Sequence, residues 1–243
     1  MEYSFNFYDF ASYIIPGGLT LISLFWAVYD IFGFNIFPHI ESLSSAIIIL
    51  IASYGLGFLI LPIGSWIDHK NTKKRGGQFS YLFMKPDDNH YSSEYKAKIK
   101  EYTESKFGII CNYDNQENSK KKGSEIFFLC YYYATNNAKN QYIDIFNGIY
   151  GLYRNFLGVG VITGIISGVI LMKNLILLNI SCHFTFINHQ SMEVALCGFL
   201  ISLLIYFAAK TQLDRFSRHF ADSVYRNFLV LSHYEKEGCV LSN

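Results

Sequence analysis

The amino-acid sequence predicts a mainly α-helical membrane protein: a bundle of four transmembrane helices with helical extensions into a small cytoplasmic domain. Three observations predict it. Four long apolar runs interrupt the 243 residues. Nearly all of the basic residues lie outside those runs. Two of the runs continue into segments with aromatic stripes at helical spacing. The composition agrees, with 51% hydrophobic and only 16% charged residues, against roughly 25% charged in ordinary globular domains. The net charge of +1 does not point to nucleic acid, and the distribution of charge says more than its sum.

A hydrocarbon core about 30 Å thick needs roughly 20 apolar residues as helix. Residues 13–34 supply 22 with one charge, Asp30, and residues 43–67 supply 25 with none. Residues 156–178 supply 23 with one charge, Lys173, whereas residues 194–209 supply only 16. The fourth run is short for a span, so it is expected to tilt little, to thin the bilayer, or to let Glu193 and Lys210 snorkel at its ends. The first run is not a cleavable leader: Glu2 and Asp9 precede it without any Lys or Arg, whereas a leader carries a positive n-region.

Basic residues orient the bundle. Of the 20 Lys and Arg, 14 lie in residues 68–155, five follow from Lys210, and Lys173 is the last. Residues 35–42 and 179–193 hold none. Both termini and the long inserted segment are therefore expected in the cytoplasm of an inner membrane. Aromatic residues before the first span (Phe5, Phe7, Tyr8, Phe10, Tyr13) and Trp66 at the close of the second suit the headgroup level. The cluster before span one is expected to lie on the membrane as a short interfacial helix.

Four regions follow: residues 1–67 with spans one and two, a basic cytoplasmic domain at 68–155, spans three and four at 156–209, and a helical tail at 210–243. Within the second region, Lys70–Gly77 reads as a basic turn. Residues 93–107 read as a helix with Tyr95, Ile99 and Tyr102 on one face and Lys96, Lys98 and Lys100 elsewhere. Residues 112–123 read as a polar loop, and 125–134 as either a strand or the start of a buried helix, since contiguous aromatics have no decisive period. From Asn137 the apolar spacing is helical and runs into span three. After span four, Leu213, Phe216, Phe220, Val224 and Phe228 form a second stripe, and these helices are expected to pack together. Tyr153-Arg154-Asn155-Phe156-Leu157 recurs as Tyr225-Arg226-Asn227-Phe228-Leu229, either a duplicated hairpin or a coincidence of composition.

Gly160, Gly164 and Gly168 form a small-x-x-x-small repeat that permits close helix contact, within the chain or between copies. Beside them run Thr163, Ser167 and Asn174. These are candidates, together with Asp30, for a pore or cavity lining; the alternative is hydroxyls bonded to their own helix carbonyls. Asp30, close to the outer end of its span, is expected to be solvated. Pro16-Gly17-Gly18 and Pro62 are candidates for kinks or hinges. Lys73, Lys74 and Arg75, with Lys120, Lys121 and Lys122, are candidates for anionic lipid or another anionic ligand, with topology anchoring as the alternative. The five cysteines are spaced as thiols rather than as a disulfide framework. Cys182, His183 and His189 lack a fourth metal ligand. Phosphate-loop, nucleophile-elbow, zincin and dinucleotide-turn motifs do not occur, so neither an enzyme nor a cofactor is expected.

Two short patches carry a resemblance. Phe7-Tyr8-Asp9-Phe10-x-x-Tyr13-x-Ile15-Pro16-Gly17 and Tyr150-x-x-Tyr153-Arg154-Asn155 resemble the approach to the first and to a later span in uncharacterised bacterial multi-span membrane proteins. Proteins of this sort are similar to membrane components of anti-phage defence systems. The resemblance implies a homo-oligomeric inner-membrane sensor or membrane-perturbing effector with a cytoplasmic protein partner. A nucleotide or nucleic-acid ligand has no support in the sequence. A channel or small transporter subunit, or an anchor that recruits a partner enzyme, are the alternatives.

Overall fold

The computed structural model describes residues 7–34, 43–114, 116–137, 142–180 and 189–236. Among them are seven helices and no strand: α1 Phe7–Phe32, α2 Leu43–Arg75, α3 Phe79–Leu82, α4 Ser93–Phe107, α5 Glu117–Asn137, α6 Tyr142–Ile180 and α7 His189–Lys236. Four of these, α1, α2, α6 and α7, are long and apolar enough to cross a membrane. The chain divides into two compact units. Unit one runs through Asp68 and resumes at Gly151–Leu213; unit two is His69–Tyr150 with the chain from Asp214. Each of α2, α6 and α7 therefore holds residues of both units.

Three expectations on helix extent change. Phe7 to Phe10 belong to α1 itself, which passes unbroken through Pro16 and ends at Gly33 with a left-handed φ of +73°. The aromatic residues there are not a separate interfacial helix; Phe5 lies outside the described residues. Lys70–Arg75 are not a turn but the end of α2, whose last turn is Lys73-Lys74-Arg75. Basic side chains there complement the negative end of the helix dipole. The turn follows at Gly76 and Gly77, where φ is +91° and +153°. Most of the expected polar loop is also helix, since α5 starts at Glu117.

Unit one is packed through glycines. A Cβ on Gly17 would stand 1.7 Å from the Ser53 carbonyl oxygen, and one on Gly57 2.0 Å from that of Tyr13, so α1 and α2 meet backbone to backbone. A Cβ on Gly64 would stand 1.9 Å from the Arg154 oxygen, and one on Gly158 2.3 Å from Ile60 Cγ2, which joins α2 to α6. Between helices in lipid, where burial of apolar surface does not drive association, close approach of this kind is one source of packing energy. The rest of the apolar surface, including Ile22, Ile48, Leu59, Ile165 and Leu204, is exposed, as expected of side chains that face acyl chains.

Unit two has an aromatic core. Phe79, Tyr81, Phe83, Met84, Tyr91, Ile99, Tyr102, Ile126, Phe127, Val224, Tyr225 and Phe228 are all buried in one cluster. Each such side chain contributes about 1.5–3 kcal/mol by leaving water. Tyr225, fully buried, donates its hydroxyl hydrogen to the Ser80 carbonyl at 2.6 Å. In α4 the Ser92 hydroxyl caps the Tyr95 N–H at 3.2 Å, and Gly108 ends the helix in the left-handed region. In α5, Ile126, Phe127, Cys130 and Ala134 are buried at spacings of one, three and four residues, while Phe128 and Tyr132 are exposed.

Candidate functional site

The polar residues of unit one converge at one place. Asp30 is not solvated; its side chain is 7% exposed. Lys173 donates from Nζ to Asp30 Oδ2 at 2.5 Å and to the Asp30 main-chain oxygen at 2.7 Å. Ser191 donates its hydroxyl to Asp30 Oδ1, and Asn174 donates from Nδ2 to Ser191 Oγ at 3.2 Å. The quartet ties α1, α6 and α7 together. A carboxylate removed from water is tolerated only where charge and hydrogen bonds compensate it, and Asp30 has both.

The other expected residues of α6 are used inside the chain. A Cβ on Gly160 would lie 2.9 Å from Tyr206 Cβ and 3.1 Å from the Ser202 oxygen, and one on Gly164 3.0 Å from Ser202 Oγ. Gly160 and Gly164 thus seat α7. Gly168 has no neighbour within 4 Å of its would-be Cβ among the described residues and lies on an apolar groove with Ile165, Val169 and Met172. Thr163 is buried and donates to the Val159 carbonyl at 2.7 Å, the back-bonding alternative for that residue. Ser167 is buried against Gly198, whose would-be Cβ stands 2.8 Å from Ser167 Oγ. Thr163, Ser167 and Asn174 are therefore buried and engaged in helix contacts in this structure.

The basic residues of unit two behave unequally. Lys73 and Lys74 are exposed, as are Lys120, Lys121 and Lys122 on α5. Arg75 instead pairs with Asp214 and covers the Phe79 ring at 3.9 Å from its centroid. Arg218 lies over the same ring at 4.7 Å. The two copies of Tyr-Arg-Asn-Phe-Leu do different work. Asn155 is buried and donates to the Ser12 carbonyl at 2.8 Å, whereas Asn227 donates to its own helix at Ser223.

A second network surrounds Asp222, which sequence reading passed over. Its Oδ1 accepts from the Tyr91 hydroxyl at 2.8 Å and lies 3.3 Å from His90 Nε2; its Oδ2 accepts from Arg226 Nε at 2.8 Å. Burial raises the Asp222 pKa, but the hydrogen bonds from Arg226, Tyr91 and His90 outweigh it, so the carboxyl sits below its ordinary range. Burial, then the neighbouring Asp222 charge, push the Tyr91 phenol far upward and keep it a donor. Burial likewise raises the Cys130 thiol, which makes it a core residue rather than a nucleophile. Lys106 donates to Glu235 and, at 3.0 Å, to the Tyr133 oxygen, closing a smaller network between α4, α5 and α7.

Comparison with protein families, curated proteins and solved structures finds no match to this chain. The site is therefore read from its own residues. Among the described residues no group of three or more His, Cys, Asp or Glu could hold a metal ion; Cys182, His183 and Cys239 lie outside them. The Asp30 quartet carries two opposite charges at the α1, α6 and α7 contact, and the arrangement suits a latch between helices. One signal for it was present in the sequence. Asp30 and Lys173 are the charges of the first and third apolar runs, each near the C-terminal end of its run, but 143 residues separate them and nothing local pairs them.

Proposed function

We propose that this chain is a homo-oligomeric bacterial inner-membrane protein that acts as a sensor or membrane-perturbing effector in anti-phage defence. Unit two faces the cytoplasm and receives a protein or ligand signal; unit one responds in the bilayer. The observation that carries this reading is helix continuity: α2, α6 and α7 each run without a break through residues of both units. Rigid elements of this kind transmit a rotation or shift better than loops do. The basic residues from Lys70 to Arg75 and after Lys210 support the cytoplasmic placement of unit two. Gly168, left without a neighbour beside exposed Ile165, Val169 and Met172, supports assembly between copies.

The experiment is phage challenge of cells that carry the chain with its native genetic neighbours, with membrane potential followed by a voltage-sensitive dye. The reading expects fewer plaques and depolarisation that begins only after infection. Unchanged plaque counts on deletion, together with unchanged potential on expression, would sink it. Ion or solute flux in liposomes without infection would point instead to a channel or transporter subunit. A stoichiometric soluble enzyme on purification, without flux, would point to an anchor.

A further inference from the structure

A groove in unit two lies between the 84–89 segment and the start of α4. Its volume is about 690 Å³, the size that receives small organic ligands. Asn89, Tyr91, Ser92, Ser93, Lys96 and Lys100 line it. Lys96 is the unusual member, because it is 6% exposed and charged. Its ammonium donates to the Lys85 carbonyl at 2.5 Å and to the Asp88 carbonyl. An ammonium has three donors, and these two acceptors carry no charge. Lys96 makes no ion pair among the described residues. A buried cation is expected to have a counter-charge; none of the ion pairs among the described residues supplies one to Lys96, and the residue lines the groove.

The rest of the lining has matching chemistry. Lys100, one helical turn on, borders the same groove and holds its ammonium 5.6 Å from the Tyr113 ring centroid. The first turn of α4 adds its positive dipole end, and Ser92 and Ser93 add hydroxyls. Asp88 is the acid of the lining, and its Oδ1 already accepts the His90 main-chain N–H at 2.8 Å. We propose that this groove binds a phosphate-bearing ligand, with Lys96 and Lys100 as its counter-charges and the α4 start as its cradle. The ligand is either a soluble phosphate ester or a phospholipid headgroup, since both present the same dense negative charge. Neither basic run that the sequence singled out, 73–75 or 120–122, takes part.

The test titrates the full chain in detergent with inorganic pyrophosphate by calorimetry, and its outcome does not depend on the defence reading. Saturable binding to the wild type is expected, at least tenfold weaker in Lys96→Met, in Lys100→Glu and in Ala97→Glu at the groove rim. Lys120→Glu should bind as the wild type does. Should Lys96→Met fail to fold, judged by circular dichroism, the two rim variants carry the test. Repeating the titration in phosphatidylglycerol nanodiscs separates the sources. Pyrophosphate binding lost there identifies a headgroup as the occupant; binding retained identifies a soluble ester. No saturable binding, or equal binding by wild type and Lys100→Glu, overturns the proposal.

Discussion

Asp30 and Lys173 depend on each other more than on the rest of unit one. Removing Lys173 leaves the Asp30 carboxylate buried without its counter-charge, a loss of about 3–5 kcal/mol for a fully buried pair and smaller here, where the Lys173 side chain is 32% exposed and Ser191 still donates to Asp30. Asp30→Asn and Lys173→Met should each lower the melting temperature in detergent sharply, while the double variant recovers part of the loss. A double variant whose loss equals the sum of the two single losses would show that the pair is not coupled. The glycines make a sharper distinction. Gly57→Leu would drive a side chain into the Tyr13 backbone, whereas a Cβ at Gly168 meets nothing within 4 Å among the described residues. The first should abolish the monodisperse species on size exclusion, and the second should leave the monomer fold intact. If assembly between copies uses Gly168, the second variant instead shifts the oligomer peak.

At the scale of the element, α4 shows how far local signals reach. Its bounds follow from a serine cap at one end and a left-handed glycine at the other, and its Ile99 and Tyr102 face is buried as the spacing requires. Ser92→Ala removes the cap and should destabilise unit two by about 1 kcal/mol, read as an earlier thermal transition by circular dichroism. Lys96 was placed away from that face by spacing alone, yet it is buried, because carbonyls of the preceding segment fold over it. The strand-or-helix ambiguity at 125–134 resolves as helix, because Ile126, Phe127, Cys130 and Ala134 are buried at helical spacing while Phe128 and Tyr132 are exposed. That difference depends on the partners Phe220 and Tyr225 from α7.

The Asp222 network joins α7 to the segment before α4 and has a defined pH signature. The folded carboxyl has a lowered pKa, so its stabilisation is full above the unfolded value of about 3.9. It is lost as pH falls through the folded value, because the folded state must then take up the proton. Unit two of the wild type should therefore lose stability below about pH 4. Asp222→Asn should be less stable at neutral pH and flatter across that acid limb, measured by melting at successive pH values. An equally steep acid limb in the variant would remove Asp222 as its source.

For the whole molecule, the prediction concerns sidedness. Single cysteines placed at Lys73, Lys121 and Arg215 in a chain stripped of native cysteines should resist an impermeant thiol reagent in intact cells and react once the membrane is opened. A cysteine within residues 35–42 should react in intact cells. The reverse pattern would invert the proposed topology.

Composition and periodicity by themselves determined that this chain is helical and that four helices are long and apolar enough to cross a membrane. Those properties follow from runs of neighbouring side chains, and neighbours in sequence are enough to specify them. Tertiary structure alone decided which glycines seat which helix, that Gly160 and Gly164 meet α7, and that Asp30 finds Lys173 rather than water. It also decided that Lys96 is buried beside a groove. The glycine contacts and the Asp30 pairing depend on atoms far apart in the chain, and Lys96 on carbonyls 8 and 11 residues away; the energy of a buried charge or a backbone contact is set by what folding brings beside it.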